Sequence, residues 1–120
     1  MIFVFGSNML GRHGAGAALE AHNKWGAVYG IPCGRTGNAY AIPTKDYNME
    51  TMPLFVIRVD VAVFLEYARN NPEEWFLVTR IGCGLAGYKN EDIAPMFRDA
   101  PNNCYFSKEW AEFLVETLDK

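Results

Sequence analysis

Short apolar runs alternate along the chain with longer stretches in which apolar residues recur every three or four positions. The short runs predict strands and the longer stretches predict amphipathic helices. The predicted strands cover residues 2–5, 39–43, 75–81 and 103–106, and the predicted helices cover residues 14–25, 57–70, 90–97 and 107–118. Strands and helices that alternate in this way are typical of an α/β fold, with a mostly parallel central sheet and flanking helices.

The second predicted helix also fits another pattern. Ile57, Val59 and Val61 alternate as in a strand, whereas Val59, Val63 and Tyr67 share one face of a helix. Two parallel strands in one sheet need a crossover connection, which is usually a helix. The helix is therefore favoured here.

Ligands of such folds bind beyond the carboxyl ends of the strands, so the loops after the first three predicted strands are the candidate functional region. The first loop reads GSNMLGRHGAGAAL. Gly14, Ala15 and Gly16 open the predicted helix with little side-chain bulk, so a diphosphate could reach the free amides at its start. A tight turn that packs small residues on the sheet explains the same sequence without a ligand.

Three polar side chains of this region carry separate predictions. Asn8 is a candidate ligand contact, and His13 either contacts phosphate or base or lies exposed to solvent. His22 falls on the apolar face of the predicted helix, with Leu19 and Trp25, and is expected to pack in the core.

The loop after the strand at 75–81 contains Gly82, Gly84 and Gly87, which have G-x-G-x-x-G spacing. This spacing fits a Rossmann fingerprint, another phosphate-binding loop or a glycine-rich turn. A Rossmann fingerprint lies in the first strand–helix–strand unit, with an acidic residue about 20 positions later. Here the motif comes late, and Glu109 falls within the last predicted helix. Two small-residue loops at one sheet edge could instead hold one diphosphate from both sides.

Neighbours of these glycines complete the candidate ligand-binding set, which adds Ile81, Cys83, Leu85, Ala86 and Tyr88. Cys83 is expected to be a small buried residue without a nucleophilic role. Tyr88 either stacks on a ribose or adenine or covers the core.

The remaining loop brings Thr44, Lys45 and Asp46 to the same edge. A surface turn is the common place for a Lys–Asp pair. A lysine beside a diphosphate could instead pair with phosphate, or attack a sugar carbon as a nucleophile.

Composition narrows the classes of protein further. The chain has 120 residues, half of them hydrophobic, so one domain over residues 1–120 is expected. Its net charge of −3 argues against a broad nucleic-acid surface.

The cysteines and the apolar runs indicate the cellular compartment. The chain has three cysteines, an odd number, and they lie far apart in sequence: Cys33, Cys83 and Cys104. This pattern argues against a disulfide framework and against a structural zinc site. The first apolar run is too short for a signal peptide, and no stretch approaches the roughly 18 apolar residues of a membrane span. These features predict a cytoplasmic protein without a metal or cofactor.

Three stretches together resemble a known family. HGAGAALEAHNKWG (13–26), YAIPTK (40–45) and TRIGCGLAGYKNEDIAPMF (79–97) are similar to macrodomains, most closely to the terminal ADP-ribose protein glycohydrolase branch. That branch includes antitoxins that remove ADP-ribose from DNA. The resemblance covers most of the chain in the same order. It implies a compact three-layer fold and a cleft for ADP-ribose or an ADP-ribosylated macromolecule, with the two glycine-rich loops around the diphosphate and distal ribose.

The resemblance also implies one catalytic residue and the loss of another. Lys45 falls on the lysine that attacks the distal ribose in that branch, whereas Ala86 stands where the branch has its catalytic aspartate. Asp46, beside Lys45, is the candidate substitute for that aspartate. Three functions therefore stay open: hydrolysis of an ADP-ribosyl linkage or of ADP-ribose 1″-phosphate, non-catalytic reading or sequestering of an ADP-ribose-type nucleotide, and, with less support, Rossmann-like dinucleotide binding.

Overall fold

Five strands form one sheet in the structure, a computed structural model that describes residues 1–115. The strands are β1 (Ile2–Asn8), β2 (Gly34–Thr36), β3 (Ala39–Lys45), β4 (Phe76–Val78) and β5 (Cys104–Phe106). Their order across the sheet is β2-β3-β1-β4-β5. β1 runs parallel to β3 and β4, and β4 runs parallel to β5, whereas β2 is antiparallel to β3. The carboxyl ends of β1, β3 and β4 therefore share one edge, as predicted.

The strand boundaries differ from the prediction at this edge. β1 continues to Asn8 and β3 to Lys45, whereas β4 ends at Val78 rather than at residue 81. Gly6 and Ser7 pair with β3 through their backbones, so pairing continues after the apolar pattern has ended. The short strand β2 was not predicted, because its sequence GRT has no apolar alternation.

The helices are α1 (Gly16–Trp25), α2 (Leu54–Arg69), α3 (Asn90–Ile93) and α4 (Ala111–Leu114), with 3-10 turns at Ala94–Phe97 and Lys108–Trp110. The helical prediction for the ambiguous stretch is thus correct. The predicted helix 90–97 changes to a 3-10 turn near Pro95, which has no N–H to donate. Residues 116–118 of the last predicted helix lie outside the described part of the chain. None of the helices within residues 1–115 is long and apolar enough to cross a membrane.

Two apolar clusters cover the two faces of the sheet. Ile2 and Val4 pack with α2, whereas Phe3 and Phe5 pack with α1. Because successive side chains of a strand point to opposite faces, the fold has three layers.

The face that α1 buries differs from the predicted one. Ala18 and Ala21 are buried, whereas Leu19 is 38% exposed and His22 is exposed as well. The prediction of His22 as a core residue is therefore wrong. Small residues on the buried face let α1 approach the sheet closely, so the larger side chains beside them stay at the surface.

Candidate functional site

A cavity of about 610 Å³ opens at the carboxyl edge of the parallel strands. This volume lies within the usual range of small-molecule sites, about 300–1,000 Å³. All three predicted loops contribute to it, and the predicted residues that line it are Asn8, Gly14, Ala15, Gly16, Lys45, Ile81, Gly82, Gly84, Leu85 and Ala86.

The amino terminus of α1 faces this cavity without a side-chain cap. Ala15 is the N-cap residue, no side chain accepts a hydrogen bond there, and the first turn carries no acidic residue. Gly16 has a φ of +58°, which a residue with a Cβ adopts only with strain. The first amides of a helix have no partner within it, so this end of α1 can donate hydrogen bonds to an anion.

The glycine-rich loop uses its three glycines in two ways. Gly82 and Gly87 have positive φ angles, of 79° and 86°, and a Cβ on Gly82 would lie 3.1 Å from Cδ1 of Ile93. These two glycines are therefore needed for the turn itself. A Cβ on Gly84 would meet no atom within 4 Å, and Gly84 does not have a positive φ. Its small size therefore leaves open space beside the cavity.

Lys45 ends β3 and lines the cavity. It forms an isolated antiparallel bridge with Thr51, whose hydroxyl donates a hydrogen bond to the carbonyl oxygen of Ala86 over 2.9 Å. The loop after β3 is thereby joined to the glycine-rich loop, and Lys45 and Ala86 belong to the same wall of the cavity.

Asp46 stabilises the turn after β3 and does not line the cavity. Its carboxylate accepts hydrogen bonds from the backbone N–H groups of Asn48, at 2.8 Å, and Glu50, at 3.0 Å. Asp46 is not among the lining residues, so it is not placed as a substitute for the missing aspartate. The turn instead presents Met49 to the cavity, with an unusual φ of +62° for a residue with a side chain.

The cavity is cationic although the chain is acidic. Arg12, Lys45 and Arg80 line it, and no Asp, Glu, His or Cys within the described residues does so. Asn8 fixes the turn before Arg12 by two hydrogen bonds: its side-chain amide donates to the Arg12 carbonyl at 2.9 Å, and its Oδ1 accepts from the Arg12 N–H at 3.0 Å. This charge distribution favours an anionic ligand.

Besides Asp46, four predicted residues lie outside the cavity lining: His13, Cys83, Gly87 and Tyr88. His13 is 1% exposed, so it is neither a cavity residue nor a solvent-exposed one, and both predictions for it are wrong. The Tyr88 hydroxyl donates to the Met52 carbonyl over 2.6 Å while its ring packs against the core, so it covers the core. Burial raises the pKa of the half-buried Cys83 thiol, which disfavours the nucleophilic thiolate.

Sequence reasoning missed part of the lining, which also includes Ser7, Arg12, Tyr29, Met49, Thr79 and Arg80. Arg12 lies in the first predicted loop and Arg80 adjoins the glycine motif, so their positions offered a signal. Tyr29 and Met49 belong to no recognisable motif, and only the folded loops bring them to the cavity. Among residues 1–115, no group of three or more His, Cys, Asp or Glu side chains is placed to hold a metal ion.

No protein-family model matches the chain, and no curated protein matches its sequence. Among solved structures, the chain is similar to Thermosipho africanus DarTG in complex with ADP-ribose, with 17% sequence identity and a TM-score of 0.62. The match covers 97% of this chain and 43% of that chain, so this chain spans less than half of that protein's length. The likeness confirms the predicted macrodomain-like α/β fold.

Proposed function

We propose that the cavity binds ADP-ribose or a close derivative. The observation that carries this proposal is the uncapped start of α1 beside the glycine-rich loop, in one cavity lined by three cations. The solved structure that this chain resembles is itself a complex with ADP-ribose, which supports the same ligand here.

The diphosphate is the part of the ligand that this site suits best. The first amides of α1 supply unpaired donors and the positive end of the helix dipole. Arg12, Lys45 and Arg80 add positive charge, and the lack of a lining carboxylate within residues 1–115 leaves no fixed anion to repel the phosphates. The open space beside Gly84 leaves room for close approach from the other side.

A Rossmann-like site receives less support. Such a site holds a ribose with an acidic side chain. No Asp or Glu of the described residues lines this cavity, so that contact has no residue to make it.

Hydrolysis of an ADP-ribosyl linkage is the second candidate, and Lys45 in the cavity wall favours it. Ala86, which Thr51 links to the same wall by a hydrogen bond, has no acid–base group in its side chain. A positioned general acid or base typically contributes about 10²–10⁴-fold to a rate. Ala86 therefore favours a non-catalytic reader or sequestering protein.

Calorimetry tests the binding proposal directly. The purified chain is titrated with ADP-ribose, ADP, AMP and NAD, with adenosine as the uncharged control. ADP-ribose is expected to bind more tightly than adenosine, because adenosine lacks the diphosphate. No detectable ADP-ribose binding at millimolar ligand would refute the proposed function.

A further inference from the structure

The ring of Tyr29 lies at the cavity, and no described residue stacks parallel to it. Tyr29 lines the cavity and is 54% exposed. Its described ring contacts are edge contacts with two histidines: His13 at 5.5 Å and 63°, and His22 at 5.7 Å and 80°. The Tyr29 hydroxyl has no hydrogen-bond partner within the described residues, so its position does not depend on that group.

His13 supports this ring from behind. It is fully buried, makes an edge contact with Phe5 at 5.5 Å and 86°, and has no hydrogen-bond partner on either ring nitrogen within the described residues. Packing between Phe5 and Tyr29 therefore holds the imidazole in place. Burial lowers the pKa of His13, so the neutral ring is favoured in this place. The second support, His22, is fixed by a 2.9 Å hydrogen bond between its Nδ1 and the Ala27 carbonyl.

The backbone that follows Tyr29 is also fixed. The N–H of Gly30 donates to the Gly11 carbonyl over 2.8 Å, and a Cβ on Gly11 would lie 2.4 Å from the Gly30 backbone. The Ser7 hydroxyl donates to the Pro32 carbonyl. A side chain held in this way loses little freedom when a ligand arrives, which favours binding.

We infer that Tyr29 contributes to ligand affinity by packing its ring face against a ring of the bound nucleotide, and that His13 is a residue that positions it. Such a contact needs a flat or C–H-bearing ring face on the ligand. Either the base or a ribose of ADP-ribose provides one. Stacking of a base on an aromatic side chain changes affinity by roughly 10- to 100-fold. The inference rests on the proposed binding of ADP-ribose.

Variants of Tyr29 test the ring contact by calorimetry. Tyr29→Leu is expected to weaken ADP-ribose binding by about 10- to 100-fold, whereas Tyr29→Phe keeps the ring and stays within about twofold of wild type. Tyr47→Leu is the matched control, since Tyr47 is 66% exposed and does not line the cavity. The same loss for ADP assigns the contact to the adenosine end, and a loss for ADP-ribose alone assigns it to the distal ribose.

Variants of His13 test the positioning. His13→Ala is expected to weaken ADP-ribose binding in wild type but to add nothing in the Tyr29→Leu background, and His13→Phe is expected to restore the affinity. Equal losses from His13→Ala in both backgrounds would overturn the positioning role. Wild-type binding that is unchanged in folded Tyr29→Leu would overturn the ring contact and leave the proposed function standing. A wild type that binds no ADP-ribose would instead overturn the proposed function itself.

Discussion

The hydroxyl of Thr51 donates a hydrogen bond to the carbonyl oxygen of Ala86 over 2.9 Å. Thr51 also bridges to Lys45 through its backbone, so two loops that are far apart in sequence form one wall of the cavity. The wall contains Lys45, which the sequence resemblance implies as a nucleophile, and has Ala86 where the resemblance implies a carboxylate. Single substitutions in this wall therefore test binding and catalysis separately.

Gly84→Val is expected to weaken ADP-ribose binding by tenfold or more, because the added side chain enters open space beside the cavity. The fold should persist, since Gly84 does not have a positive φ and a Cβ there meets no atom within 4 Å. Calorimetry measures the affinity, and a thermal unfolding curve checks the fold. Ala62→Val, on the exposed side of α2 and outside the cavity lining, is the control. Wild-type affinity in folded Gly84→Val would remove this loop from the site.

Arg12→Gln is expected to weaken ADP-ribose binding by about tenfold and to make the affinity less dependent on salt, because it removes a cation from the cavity. The Arg12 backbone, not its side chain, bonds to Asn8, so the turn should remain. Arg58→Gln is the control, since Arg58 is exposed on α2 and does not line the cavity. Titrations at two salt concentrations measure the effect. Equal losses in both variants would mean that only overall charge matters.

The sequence predicted which strand ends meet at the cavity more accurately than it predicted which side chains surround the cavity. Lys45 and Gly84 reach one cavity because parallel strands place their carboxyl ends together, and that arrangement follows from the alternation of strands and helices. His13 and Tyr29 show why the rest could not be predicted. A polar histidine in a loop reads as exposed, and only the folded chain shows Tyr29 and Phe5 enclosing it.

Acid is expected to destabilise the fold through His13. Burial lowers its folded-state pKa below the ordinary 6.5, and His22 lowers it further, while the Ile31 backbone opposes the shift in part. Well above pH 6.5 the residue is neutral in both states and contributes no pH dependence. As the pH falls below 6.5, the unfolded chain binds the proton first, so the free energy of unfolding falls until the folded pKa is passed.

Urea unfolding at pH 7.5 and at pH 5.5 measures this effect. His13→Phe keeps an aromatic ring in the buried place and has no titrating group. The variant is therefore expected to lose less stability than wild type between these two pH values. Equal losses in the two proteins would assign the acid sensitivity to other groups.

The last prediction concerns catalysis at the cavity wall that contains Lys45 and Ala86. If any ADP-ribose is released from a modified substrate, Lys45→Ala is expected to abolish the release, because Lys45 lines the cavity and the sequence resemblance implies that it is the nucleophile. Ala86→Asp is expected to raise the rate by up to about 10²–10⁴-fold, because it restores an acid–base group at that wall. The assay follows labelled ADP-ribose released from ADP-ribosylated protein and DNA, with calorimetry to show that each variant still binds ADP-ribose.

The outcomes distinguish a lysine mechanism from the alternatives. Fast wild-type release that persists in Lys45→Ala would contradict a lysine mechanism and point to water or the substrate itself as the reacting group. Tight binding without release, in wild type and in Ala86→Asp alike, would support a protein that reads or sequesters the nucleotide.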